Sequence, residues 1–96
     1  MKKEKVMIVD ELIKYLKEQE GNNVILELEG IIETTIMINK IEIQELDKYL
    51  TIKSKEDSKQ NIKINLHQLM KTNTLNENEI LLEFDQLQTI KIILFS

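Results

Sequence analysis

The run of residues Ile31–Ile43 constrains the fold more than any other stretch, because its apolar pattern changes phase along the chain. Ile36 and Ile38 stand at even positions, whereas Ile41 and Ile43 stand at odd ones. Side chains of a strand alternate between its two faces, so one extra residue moves the apolar set to the other face. The run therefore predicts a strand at about 31–44 that is bulged or sharply bent within residues 37–40.

Asn39 is the predicted site of the bend, because Asn tolerates left-handed backbone angles better than its β-branched neighbours do. A strand bent in this way serves two faces of a curled sheet. With the other elements, this feature predicts the fold class as α+β. We expect one N-terminal helix followed by a curled, mostly antiparallel sheet of five to six strands, similar to a small barrel.

The remaining elements follow from apolar spacing. Val9, Leu12, Ile13 and Leu16 recur at helical spacing, and Gly21 follows, which predicts a helix at about 9–20. Alternating residues predict further strands at 23–29, 48–54, 62–67, 80–84 and 90–94. We expect turns or loops at 45–47, 56–60 and 71–79, and a short helical turn at 69–70, because polar residues or broken alternation occur there.

The last two strands are predicted to form a hairpin around Gln86–Gln88. The expected register places Glu83 opposite Lys91, which would be a favourable pair of opposite charges. The same register sets three apolar pairs on the inner face: Phe84 with Ile90, Leu82 with Ile92 and Ile80 with Leu94.

Length and composition limit the class of protein. The 96 residues are enough for a single domain, 1–96, with one modest core. The chain has no Cys, which excludes disulfides and thiolate metal sites and fits a reducing, cytoplasmic location. The charged stretch Lys2–Lys5 is expected to fray, and the short apolar run after it predicts neither a secretory leader nor a membrane span. Abundant Ile, Lys and Asn indicate an AT-rich gene, as in low-GC bacteria and their phages.

The charge balance argues against a nucleic-acid backbone binder. There are 13 basic and 17 acidic residues, for a net charge of −4, whereas such binders usually carry a basic face and a high pI. One local basic edge remains a candidate nucleic-acid contact, and neither Tyr15 nor Tyr49 interleaves with it in the sequence. This edge consists of Lys53, Lys55, Lys59, Lys63 and His67.

Catalysis is not expected. Without Cys, a nucleophilic site would need the single histidine, His67, beside Ser54 or Ser58, and these serines flank the far end of its strand. Acids at alternate positions, such as Glu27 and Glu29, are typical of the solvated side of an antiparallel strand and lack metal-loop spacing. We therefore predict a protein that is not an enzyme, with no metal and no cofactor.

A second set of apolar residues falls on the faces opposite the core positions. These residues are Ile25, Leu81, Ile93 and Phe95. Two interpretations stand: the amphipathic helix packs on this second face, or the face binds a partner or a second copy of the chain.

The helix followed by curled strands, with Leu28–Glu33 (LEGIIE) at the first strand exit, resembles the Sm-like family, especially its bacterial host-factor branch. The resemblance covers about half of the chain and implies a small β-barrel that forms oligomers and binds RNA. That branch has a Tyr-Lys-His strand motif that contacts RNA; here Asn65 and Leu66 occupy the first two places, and only His67 is carried over.

Taken together, these observations predict a small acidic cytosolic protein that binds another protein. A specific version is an inhibitor of a host defence protein, of the anti-CRISPR type, encoded by a phage or mobile element. The alternative is an Sm-like oligomeric RNA-binding protein.

Overall fold

A computed structural model describes Lys5, Val6 and residues 8–96, with side chains from Ile8 onward except that of Gln86. The expectation of a frayed charged end at Lys2–Lys5 therefore lies outside the described residues, apart from the backbone of Lys5. That backbone belongs to a two-residue strand, β1 (Lys5–Val6).

The helix α1 spans Val9–Glu18, close to the predicted bounds. It begins where the Ile8 N–H donates to the carboxylate of Glu11 at 3.3 Å. Leu12 and Leu16, one turn apart on the same side, are fully buried, as the helical spacing predicted. The helix is followed directly by a turn at residues 19–21, in which Gly21 adopts a φ of 94°.

The strands form two antiparallel sheets. The larger sheet has six strands in the order β1-β7-β8-β9-β2-β3, and the smaller has three in the order β4-β5-β6. The bounds are β2 (Asn23–Glu29), β3 (Thr34–Ile38), β4 (Ile41–Leu46), β5 (Tyr49–Ser54), β6 (Asn61–Asn65), β7 (Leu69–Asn76), β8 (Glu79–Phe84) and β9 (Thr89–Phe95). Two 3₁₀ turns, Leu66–Gln68 and Asp85–Leu87, precede β7 and β9.

The phase change after Ile38 marks the point at which the chain leaves one sheet and enters the other. The single bent strand predicted at 31–44 is instead two strands, β3 in the large sheet and β4 in the small one. The residue with the left-handed backbone is Lys40, with a φ of 49°, so the assignment of the bend to Asn39 is wrong by one position. Ile38 and Ile41, on either side of the bend, are both fully buried.

The core lies between the inner faces of the two sheets. Leu26 and Ile92 from the large sheet, Leu50 and Ile52 from the small sheet and Leu16 from the helix belong to one cluster, and each is fully buried. The class, a mixed α+β chain with a mostly sheet core, is confirmed. The barrel-like closure is wrong, because two separate sheets face each other and do not close into a barrel.

The loop that follows α1 ties the helix to one edge of the small sheet. The Gly21 N–H donates to the Ile41 carbonyl at 3.0 Å, and the Ile41 N–H donates to the Asn22 carbonyl at 2.8 Å. The Glu20 carboxylate accepts from the Ile43 N–H at 2.8 Å. The outer edge of β4 is therefore paired along its first half.

Residues 71–79, predicted as a loop, mostly form β7. Polar residues dominate this stretch, but Thr72 and Asn73 are buried, 2% and 5% exposed. The Asn73 side-chain amide donates to the Glu83 carboxylate at 3.0 Å, which satisfies its buried polar group across the β7–β8 pair. A hydrogen-bonded polar strand of this kind lacks the apolar alternation that sequence reasoning depends on.

The hairpin of β8 and β9 is confirmed, but its predicted register is wrong by two residues. Leu82 lies opposite Ile90, and Lys91 lies opposite Leu81, not Glu83. The 3₁₀ turn and the bond from the Phe84 N–H to the Gln88 carbonyl, at 2.8 Å, set this connection.

Three smaller boundaries also differ. β4 continues through Leu46, so the first turn lies at Asp47–Lys48, where both φ values are positive, as a two-residue hairpin requires. The fourth predicted strand ends at Asn65, and the short helical turn lies at Leu66–Gln68 instead of 69–70.

Candidate functional site

The four apolar residues predicted for a second face lie together on the outer face of the large sheet. Ile25 on β2 is directly opposite Ile93 on β9, and Phe95 follows two residues later on the same face of β9. Leu81 on β8 is opposite Lys91, which places it diagonally beside Ile93. On the other side of β2, Met37 is opposite Ile25.

Met37, Ile25 and Ile93 therefore form a continuous row across three strands, flanked by Phe95 and Leu81. We name these five residues the apolar row. Met37 is 53% and Phe95 38% exposed, and the other three are half-buried by their neighbours on the sheet. Met37 was missed by sequence reasoning, although it alternates with the inward Ile36 and Ile38 and could have been assigned to the outer face.

The helix does not cover this face. Its buried side chains, Leu12 and Leu16, lie in the cluster between the sheets, with the inward residues of β2 and β9. The hydroxyl of Tyr15 donates to the Glu77 carbonyl at 2.6 Å, at the β7–β8 connection. Of the two interpretations of the second face, packing of the helix is therefore excluded.

The other half of the same face is charged and mostly acidic. Glu27 pairs with Lys91, with 3.9 Å between carboxylate oxygen and ammonium nitrogen. Glu79 and Glu83 on β8 share this face, as the register places them opposite Ile93 and Thr89. The apolar row is thus bordered by carboxylates, with Lys91 held between the apolar and acidic parts.

The outer face of the small sheet carries a second constellation. The Lys63 ammonium lies over the Tyr49 ring, 4.6 Å from its centroid, which is cation–π geometry. The His67 ring meets the same tyrosine edge-on, with 6.1 Å between centroids. The expectation that Tyr49 does not interleave with the basic residues is therefore wrong, because strand pairing joins positions far apart in sequence.

The predicted basic edge is otherwise divided. Lys53 shares the outer face with Lys63 but lies 4.0 Å from the Glu42 carboxylate. Lys55 and Lys59 lie exposed in the connection between β5 and β6. Only Lys63 and His67 of this edge therefore lie together, around the Tyr49 ring. Of the remaining lysines, two lie in the loop and one is paired with a carboxylate.

The structure does not bring the residues of a nucleophilic site together. Tyr49, which contacts His67, begins β5, whereas Ser54 ends it, so the serine and the histidine lie at different ends of this strand. Ser54 is buried, and its hydroxyl accepts from the N–H groups of Glu56 and Asp57 at 3.1 and 3.2 Å. Among the described residues, no group of three or more His, Cys, Asp or Glu side chains is arranged to hold a metal ion. Within the same residues, no helix is long and apolar enough to cross a membrane.

The chain matches no protein-family model, no curated protein and no solved structure.

Proposed function

We propose that this chain is a non-enzymatic protein-binding module that uses the apolar row of the large sheet to contact a folded partner protein. The observation that carries the proposal is the row from Met37 through Ile25 to Ile93 on the outer face, in which Met37 is 53% exposed and the two isoleucines are half-buried. A soluble chain gains nothing from exposing adjacent apolar side chains, and such patches commonly mark interaction sites.

The surroundings of the row define the chemistry of the partner. Among the residues whose side chains the structure describes, the face carries Glu27, Glu29, Glu79 and Glu83 against Lys71 and Lys91. A complementary surface would have an apolar centre and a rim rich in lysine or arginine. The outer face extends across several strands of an open sheet, which fits a folded partner better than one flexible peptide.

As the specific version of this function, we propose an inhibitor of a host defence protein, of the anti-CRISPR type, that acts in the cytoplasm of a low-GC bacterium. It is supported by the small size, the net charge of −4 and the AT-rich composition. Such an inhibitor would act by covering a basic surface that the defence protein needs for its own ligand.

A pull-down from a low-GC bacterial lysate, with and without nuclease, tests the proposal, followed by affinity measurements on the captured protein. Ile93→Gln should weaken binding by more than about tenfold, as expected for a residue central to an interface. The matched control is Thr89→Gln, on the same face of the same strand, which should change affinity little. Nuclease-resistant binding that both variants retain would exclude the apolar row as the site.

The second candidate, an RNA-binding protein of Sm-like type, is favoured by one observation: the contact of Tyr49 with Lys63 and His67. An aromatic ring beside an ammonium group and an imidazole is suited to stacking a base next to its phosphate. Under the leading proposal we expect only weak binding to oligouridine at physiological salt. Submicromolar binding that falls steeply with salt and is lost in Tyr49→Ala would favour this candidate instead.

A further inference from the structure

The two edge strands of the small sheet, β4 and β6, differ in whether their outer backbone groups are hydrogen-bonded. The β4 edge is paired with the loop after α1 through the hydrogen bonds of Ile41 and Ile43. β6 is bonded to β5 on one side, and no hydrogen bond among the described residues reaches the other side of Asn61–Asn65. β6 therefore presents a row of backbone donors and acceptors that another strand can satisfy.

Lys63 is the charged residue of this edge strand, and a lysine in such a position commonly prevents pairing with another strand. Here its side chain is turned away from the edge. Its ammonium lies over the ring of Tyr49, which belongs to β5 on the paired side of β6. An edge lysine discourages strand addition when it projects beside the edge. Here it leaves the backbone of β6 accessible.

A groove of about 460 Å³ lies along this edge. Its first wall is formed by Ile62–Asn65, four consecutive residues whose side chains alternate between the two faces of β6. Since both phases line the groove, it runs along the backbone edge and not over one face of the strand. Its second wall is mostly apolar and is formed by Leu28, Phe84 and Ile90 from the large sheet, with Ile31 and Ile32 at the rim. Three polar residues, Gln68, Asp85 and Gln88, also line the groove.

The groove exists because the small sheet has too few strands to cover the inner face of the large one. Leu28, Phe84 and Ile62 are only half-buried, although they pack against the core cluster. Ile31 and Ile32 are 67% and 59% exposed. A fourth strand beside β6 would cover all of these apolar side chains and pair the backbone edge in one step.

We propose that this groove binds an extended peptide segment of a partner protein, which adds to β6 as a fourth strand of the small sheet. The occupant must supply backbone N–H and C=O groups in an extended conformation, which selects a peptide over a small apolar molecule. The site is distinct from the apolar row, so this proposal does not depend on the proposed function.

The two walls define the sequence that the segment should have. Residues placed beside Ile62 and Ile64 point into the groove and should be apolar. The residue between them points to the outer face beside Lys63, where a carboxylate can draw the Lys63 ammonium from the Tyr49 ring into a cross-strand pair once the peptide has bound. The motif is therefore apolar–acidic–apolar, in a segment of about five residues that spans roughly 17 Å.

The test uses capped seven-residue peptides that alternate valine, leucine or isoleucine with polar residues and carry a central glutamate. Binding to the isotope-labelled full chain is followed by NMR. We expect amide shifts at 62–65 and slowed hydrogen exchange of the β6 amides. The control is the same peptide with alternate backbone nitrogens methylated, which keeps the side chains but removes the donors and should bind about tenfold or more weakly.

Two variants locate the site. Ile32→Gln, at an exposed position, should weaken binding several-fold without altering the fold. Lys63→Glu should lose affinity for the glutamate peptide and regain it for a peptide with a central lysine. Equal binding of the methylated peptide, shifts confined to the apolar row, dimerisation of the chain in place of peptide binding, or failure of every alternating peptide would each overturn the proposal.

Discussion

Gly30 and Gly21 are the two glycines of the chain, and they lie in very different surroundings. Both have positive φ, 137° and 94°. A Cβ on Gly30 would lie 2.7 Å from the Gln88 Cα and 2.7 Å from the Leu87 carbonyl oxygen, whereas nothing lies within 4 Å of a Cβ on Gly21. Gly30 thus allows the end of β2 to approach the backbone before β9.

We predict that Gly30→Ala destabilises the chain more than Gly21→Ala. At either position a positive φ costs about 1–3 kcal/mol for a residue with a Cβ. At Gly30 the contact with backbone atoms, which cannot rotate away, should add about 1–3 kcal/mol more. Urea unfolding followed by circular dichroism measures both variants. Equal losses would mean that the close approach of the two backbones does not exist in solution.

Tyr15 provides a prediction on pH. Burial, and then the nearby Glu77 carboxylate, raise the pKa of its phenol. The unfolded chain therefore loses this proton first, so stability should fall as pH rises above the ordinary tyrosine pKa of about 10, until the folded phenol ionises as well. Unfolding measured across this range should show a smaller fall in Tyr15→Phe. If stability falls with pH as steeply in Tyr15→Phe as in the unchanged chain, the prediction is contradicted. Tyr49→Phe is the control and should leave the fall unchanged.

Single residues show where sequence reasoning reached its limit. The pattern located the bend within residues 37–40, because phase is visible in the sequence. It could not choose between Asn39 and Lys40, since the left-handed residue is set by the crossing between sheets and not by intrinsic preference alone. Tyr49 and Lys63 meet only through the β5–β6 register, which no local pattern contains.

At the scale of elements, the connection between β3 and β4 gives the sharpest prediction. Deletion of Asn39 should put Ile36, Ile38, Ile41 and Ile43 in one phase. Either β3 or β4 would then turn two isoleucines outward, at a cost of about 1.5–3 kcal/mol each. Together these losses remove much of the roughly 5–15 kcal/mol that stabilises a typical domain. The deletion variant should be unfolded or aggregated, as judged by circular dichroism and gel filtration.

The control is deletion of Ser58, in the exposed connection between β5 and β6, where a shorter loop leaves the strand phases unchanged. A soluble Asn39 deletion variant with a near-normal melting temperature would mean that the chain can cross between the sheets without the extra residue.

The elements with a regular apolar pattern were predicted with nearly correct bounds, whereas the polar strand β7 was not predicted. β2 has the predicted bounds, and α1 ends two residues early. β7 was missed because its strand character depends on Thr72 and Asn73, whose burial is made tolerable by pairing with β8. The hairpin register failed for a related reason: favourable charge pairing is worth less than about 1 kcal/mol, so it does not outweigh the geometry of the turn.

On the scale of the whole molecule, the phase change was interpreted as the bend of one curled sheet, whereas the chain passes there from one sheet to another. A phase change can bend one strand around a barrel or pass the chain between two sheets, and both place the isoleucines inward. The apolar pattern alone does not separate these outcomes. The number of strands in each sheet, and hence the groove beside β6, depends on long-range pairing that the pattern does not specify.

Because the two sheets share one core, we predict that they unfold as one cooperative unit. Leu50, on the small sheet, is fully buried in the same cluster as Ile92 of the large sheet. Leu50→Ala should cost about 2–5 kcal/mol, and hydrogen exchange should report the same loss at the amides of β9 as at those of β5. Thr51→Ala, on the outer face of the same strand, is the control and should cost about 1 kcal/mol or less. Faster exchange in β5 with unchanged protection in β9 would instead show that the small sheet opens independently, because amides of one cooperative unit exchange through the same opening reaction.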